Sequence, residues 1–241
     1  MIWVMKFLLE TALIFDQTLN LSNHVNITKQ KAICGLINIS HMSTLIDKKH
    51  RLQLVHSLVL SHIDFCNSLY YGLSNTDLNP LQLILNSAAR LIMNMPRFSR
   101  DRITPKCIDL HFLPIKARIE FKICLLTFKA MKYGKPSYLS DLLKPYVPES
   151  NVLLRSSGRL NEPVLSTLSN SERCFEYYAP RLYNRLPENL KTINSVESFK
   201  KTSKPTYLIK HTICRIKASI QHIGCERCFQ ARVPSICIYL L

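Results

Sequence analysis

Glycine is scarce in this sequence, with five in 241 residues. Neither G-x-G-x-x-G nor G-x-x-x-x-G-K-[ST] can be assembled from Gly35, Gly72, Gly134, Gly158 and Gly224, which excludes the nucleotide sites that such loops build. There is no G-x-S-x-G, and no histidine is tied by spacing to a particular serine or cysteine, so nucleophilic catalysis finds no support. Long apolar runs are missing too. The longest uncharged one, Leu52 to Ile63, contains His56 and His62 and falls short of the roughly 18 residues a membrane span needs. The apolar start, Met1 to Phe15, is broken by Lys6 and Glu10, and it has neither the basic leader nor the small-residue cleavage site of a signal peptide. These absences point to a soluble intracellular chain, nuclear or cytoplasmic, neither secreted nor membrane-spanning.

Acidic residues are the minority charge. Sixteen Asp and Glu stand against 32 Lys and Arg, a formal net charge of +16, which favours a polyanionic partner. The excess is uneven: residues 1–100 hold 9 basic and 5 acidic side chains, and residues 101–241 hold 23 and 11. Hydrophobic residues make up 47% of the chain, enough to bury a core. Nine cysteines are present, of which Cys34, Cys66, Cys107, Cys124 and Cys174 sit among apolar neighbours and read as reduced, buried thiols. Cys225 and Cys228 form a C-x-x-C that, with Cys214 and Cys237, could enclose a tetrahedral zinc, His211 and His222 being substitutes. Only one close pair exists and the flanks match no known zinc module, so an arbitrary tail is the preferred reading and zinc the lesser one.

Helical periodicity dominates the first 150 residues. At 100° per residue, Leu78 to Met95 gathers its Leu, Ile, Ala and Met residues on one face, with Gln82, Asn86, Ser87, Arg90 and Asn94 on the other. This predicts an amphipathic helix with Pro80 near its first turn and Pro96 ending it. Asp47 to Leu69 is apolar around most of its circumference, predicting a helix buried mid-bundle, with His56 and His62 as core histidines. Tyr70 and Tyr71 are read as packing the bundle rather than stacking on bases. Thr104-Pro105 opens a short helical piece, and Pro114 and Gly134 bracket a longer helix, Ile115 to Tyr133. Along it run two apolar stripes, one of Ile115, Ile119, Ile123, Leu126 and Ala130, the other of Ala117, Phe121, Cys124, Phe128 and Met131. Between them Arg118, Lys122 and Lys129 align, with Lys132 nearby. That basic ridge admits two readings, phosphate contact or a solvated helix face. Arg90 is a further phosphate candidate, against an ordinary surface salt bridge.

From Lys144 onward prolines recur, predicting a boundary or loose connection near 145–165. Helical pieces are expected at Glu172 to Asn184 and Ser195 to Lys201, the latter with Asn194 and Glu197 as a capping box. The expected fold class is mainly α: a helical bundle followed by a looser, partly helical C-terminal region.

Specific residues carry a family resemblance. The run Ser57 to Leu73, SLVLSHIDFCNSLYYGL, resembles a signature in the thumb region of reverse transcriptases from non-LTR retrotransposons of the Jockey type. Matches continue in order through Leu81-Gln82, Asn86 to Ile92, Ile103 to Pro105, Leu110 to Ile115, Arg118-Ile119, Phe121-Lys122 and Phe128 to Ala130. Downstream, Pro136 to Leu139, Leu154 to Ser157, Ala179 to Pro187 and Ser198 to Lys200 are similar to later family motifs. The likeness covers roughly residues 12–204. It departs at Phe112 and Tyr183, where the family usually has Trp, and at Ser171 to Phe175.

Reverse transcription requires carboxylates holding two Mg²⁺ ions, in this family an adjacent Asp-Asp pair in the palm. No two carboxylates are adjacent anywhere in this chain, and Asp16 resembles a position after the palm. The resemblance therefore implies a non-catalytic fragment of an RNA-directed DNA polymerase: no catalytic residue, no bound Mg²⁺ or other cofactor, no small-molecule substrate. Residues 1–22 would be a palm–thumb remnant, 23–144 a thumb-like helical domain, 145–204 a post-thumb region and 205–241 an unassigned tail. It further implies that Arg118, Lys122, Lys129, Lys132 and Arg90 contact the backbone of an RNA–DNA or DNA duplex without reading bases. Two other classes stay open, a zinc-stabilised interaction protein and a peripheral membrane binder using the same cations with the apolar N-terminus.

Overall fold

Helix α1, Ser22–Met42, turns Val25, Thr28, Ala32, Gly35 and Ile39 inward at spacings of three and four residues, together with His24, the period of a helix with one buried face. The computed structural model describes residues 13–14, 21–96, 101–146, 159–163 and 174–207, and these are mainly helical. Among the described residues there is no strand, only an isolated antiparallel bridge between Pro145 and Leu160, and no helix is long and apolar enough to cross a membrane.

α2, Lys48–Val55, is capped by Asp47, whose carboxylate accepts the His50 amide and pairs with the His50 ring. A π-helical turn, His56–Leu60, carries it into the short α3, Ser61–Asp64. The Ser61 amide reaches back five residues to the His56 carbonyl, and the Ser61 hydroxyl donates to the carbonyl of Ser57. The extra residue in this turn brings Val59 and Leu60 inward together, in line with Val55 and Ile63. The sequence expectation of a helix buried all round is thereby corrected. Leu58, Phe65 and Leu69 are partly exposed, His56 is exposed and His62 half-buried, because the inward face alone meets α1. Gly35 makes that meeting close: a Cβ there would lie 2.5 Å from the Leu58 carbonyl oxygen, a backbone atom that cannot swing aside.

α4, Asn75–Ile92, begins a turn earlier than its apolar pattern suggests because Ser74 caps it, accepting the Asp77 amide and donating to the Asp77 carboxylate. Pro80 consequently lies past the first turn and forfeits a backbone bond. α5, Ile103–Asp109, leads to α6, Ile115–Tyr133, whose bounds match the sequence expectation. Gln82 joins α4 to the start of α6: its Oε1 accepts the Ile115 amide at 2.9 Å while its Nε2 donates to Asn86. Gly134, at φ 60°, closes α6 in the left-handed conformation that glycine adopts without cost.

α7, Ser137–Leu142, α8, Phe175–Asn184, α9, Glu188–Lys191, and α10, residues 196–207, follow. The described part of the C-terminal region is not loose. Tyr178 meets Tyr71 at 4.5 Å between ring centroids, Phe199 stacks on Phe128 at 4.4 Å, and the Tyr207 hydroxyl donates to Cys124 Sγ at 2.8 Å. The Asn184 side chain both accepts the Leu160 amide and donates to its carbonyl. Leu160, Tyr178, Leu190, Phe199 and Tyr207 share one buried core with α1 to α6, and most of the boundary or loose connection expected near 145–165 lies outside the described residues. Asn194 does not form the expected capping box. Its side-chain and backbone oxygens instead accept from Lys132 and Tyr133. Of the five thiols expected inside, only Cys124 is buried, and Cys34 and Cys174 are exposed.

The first turn of α1 holds a buried polar group. His24 is 5% exposed, neither ring nitrogen has a partner among the described residues, and the Phe65 and Tyr70 rings flank it. Burial, with Lys31 nearby, holds its proton affinity below the ordinary value of 6.5. A charge there would also face the positive end of the α1 dipole. Below pH 6.5 the unfolded chain takes up this proton first, so stability falls as pH drops and levels off once the folded form also protonates. His56, lowered likewise, acts in the same window. His24→Leu should therefore unfold at a higher temperature than wild type, with a larger gain at acidic than at neutral pH, measured by thermal melts across that range. Gly35→Ala, which drives a Cβ into the Leu58 carbonyl, should lower stability by about 1–3 kcal/mol, read from the urea midpoint.

Candidate nucleic-acid interface

Arg118 is not a solvent-facing member of the ridge. Its Nη1 donates to both oxygens of Asp64, at 2.8 and 2.7 Å, and its Nε donates to the Leu113 carbonyl at 3.3 Å. The side chain is 12% exposed, against 42% for Asp64. Asp64 also accepts from Asn67 Nδ2. Expected as a phosphate contact, Arg118 is instead committed to tying α6 to the end of α3, because the ridge side of α6 packs against the 64–70 segment.

The remaining cations are only partly aligned. Lys122, one turn along α6, is half-buried and within electrostatic reach of Cys66, whose thiol is pushed up by burial with Lys122 pulling the other way. Leu125, buried, interrupts the ridge between Lys122 and Lys129. Lys129 is half-buried and Lys132 exposed, its Nζ 3.1 Å from Asn194 Oδ1. Lys122 and Lys129 have no hydrogen bond or salt bridge among the described residues. Arg90 belongs to a different helix and donates to the Asp101 carbonyl at 3.3 Å. Lys122 and Lys129 thus stay uncommitted on α6, Lys132 and Arg90 each hold one exposed hydrogen bond, and Arg118 is held by an ion pair.

A second group of cations was not singled out from sequence. Lys200, Lys201 and Lys204 are exposed on α10, and Lys204 and Arg118 both bear electrostatically on His56. The His56 ring stands edge-on to Phe112, centroids 5.7 Å apart and planes at 85°. Its proton affinity is held down by partial burial and by Arg118 and Lys204, with Asp64 opposing. The lysines are visible in the sequence, but the helical signal fades beyond Thr202, so the pattern does not mark them as sharing a helix.

Cys214, Cys225, Cys228 and Cys237 lie outside the described residues, and among those described no group of three metal-ligating side chains occurs. No family model, no curated protein and no solved structure matches the chain.

If Arg118 serves as a tether, Arg118→Met and Asp64→Asn should couple in a double-mutant cycle by about 1–2 kcal/mol of folding stability. A coupling near zero, measured by denaturant unfolding, would return Arg118 to the set of surface cations.

Proposed function

We propose that this chain is a non-catalytic C-terminal portion of an RNA-directed DNA polymerase from a non-LTR retrotransposon, holding the sugar-phosphate backbone of RNA–DNA or DNA duplex through Lys122, Lys129 and Lys132. One observation carries the reading: residues that make up the ordered family-like motifs are one another's contact partners. Asp64 of the first motif pairs with Arg118 of a later one, and Gln82 joins Asn86 to Ile115. Phe128 stacks on Phe199. Motifs scattered over some 150 positions that converge in this way behave as the parts of one folding unit.

The charge balance supports the same reading. The net +16 supplies long-range attraction for a polyanion, and lysines present point charges suited to phosphates without selecting a base. Without adjacent carboxylates, no primer extension is proposed for the chain as it stands.

Three lysines that neutralise phosphates predict that log K for a short duplex falls with log[salt] at a slope of about −2.7. Lys129→Gln should make that slope shallower by about 0.9, uniformly across duplex sequences, in fluorescence anisotropy titrations. A slope near zero in the wild-type chain defeats the proposal.

A further inference from the structure

We infer that the first turn of α1 is an acid-released latch: protonation of His24 frees residues 21–25 from the 65–70 segment while the rest of the helix stays in place. The His24 ring is buried, its Nδ1 and Nε2 both lack a hydrogen-bond partner among the described residues, and its centroid lies 6.4 and 6.0 Å from those of Phe65 and Tyr70. Such surroundings take a neutral imidazole and leave imidazolium, with a donor on each nitrogen, unanswered.

The turn is also lightly held. Leu21 precedes it at φ 56°, a left-handed conformation that costs any residue with a Cβ. No side chain caps the helix there, and no acidic residue stands in its first turn. Further along, the anchoring is firmer: Thr28 Oγ1 lies 3.4 Å from the Tyr70 hydroxyl, Ala32 and Ile39 are fully buried, and Gly35 is in close contact with the backbone of the π-helical turn. An opening confined to 21–25 gives up the contacts of Leu21, His24 and Val25 and keeps the remainder, and helix ends open at lower free energy than a fold as a whole.

The charge on an imidazolium would find no ready partner. Lys31, on α1 itself, opposes it. Tyr70 and Cys66, in the facing segment, are kept neutral by burial. The carboxylates on the elements packed against α1 are committed elsewhere: Asp64 of α3 to Arg118, Asp77 of α4 to Ser74, and Asp47 before α2 to His50. The other titratable groups on those elements are cations or histidines: Lys48, Lys49, His50 and Arg51 on α2, Arg90 on α4, His56 on the π-helical turn and His62 on α3. Burial thus makes the closed turn prefer neutral His24. As pH falls below 6.5 the open turn takes up the proton first, so opening grows until the closed turn protonates as well.

The test is native-state hydrogen exchange, resolved by NMR in the full chain at pH 7 and pH 5 and corrected for the intrinsic pH dependence of exchange. Val25, whose amide donates to the Leu21 carbonyl, reports the latch together with Asn26 and Ile27, and amides 36–40 report the body of α1. Protection at 25–27 should fall by roughly tenfold on acidification, while that at 36–40 and along α6 changes by less than about twofold. His24→Leu should abolish the fall at 25–27. Thr28→Val, which removes the partner of Tyr70 but no titrating group, should lower protection at 25–27 at both pH values and keep the fall between them. Protection that drops uniformly over α1 and α6, that does not drop at 25–27, or that drops equally in His24→Leu overturns the latch.

Discussion

Helix α6 is enclosed on nearly every side, and that enclosure constrains everything around it. Ile119, Ile123 and Ala130 face one way, Ala117, Cys124 and Phe128 another, and Leu125 closes the gap between them. A cation placed on such a helix meets a steep desolvation cost unless an opposite charge receives it. Arg118 is the place where this cost is met, by Asp64 and by the Leu113 carbonyl. The same contact fixes where α3 ends relative to α6. A charge that reads as binding equipment in one dimension is a cross-brace in three.

Around this centre the elements approach to different depths. α1 and the π-helical turn come into backbone contact because Gly35 has no side chain to hold them apart. The turn itself exists because one added residue lets Val59 and Leu60 both point inward. The C-terminal helices dock through aromatic rings instead, Phe199 on Phe128 and Tyr178 on Tyr71. Large rings bury much apolar area at each contact.

The positive charge is redistributed accordingly. The enclosure of α6 leaves Lys122 and Lys129 half-buried, whereas α10 carries Lys200, Lys201 and Lys204 on its outer side. His56 stands at the exposed outer side of the same turn that packs against α1, edge-on to Phe112.

Much of the helical content was legible in the sequence. Apolar periodicity with Pro114 and Gly134 located α6 to the residue, and the alternation of Leu, Ile and Ala with Asn and Gln marked the face that α4 buries, because both signals are local and repeat every turn. Asp47 and Ser74 as caps were not read although each bonds an amide three residues on; Gly35 as a contact point and the π-helical turn depend on which segment the backbone meets. Nor could sequence decide the fate of charged residues. Arg118 and Lys122 sit one turn apart with similar flanks, yet Asp64, 54 positions away from Arg118, consumes one and leaves the other. The local chain determined which residues share a helix face; only the tertiary structure decided what that face meets, because burial and ion pairing are settled between segments that are distant in sequence.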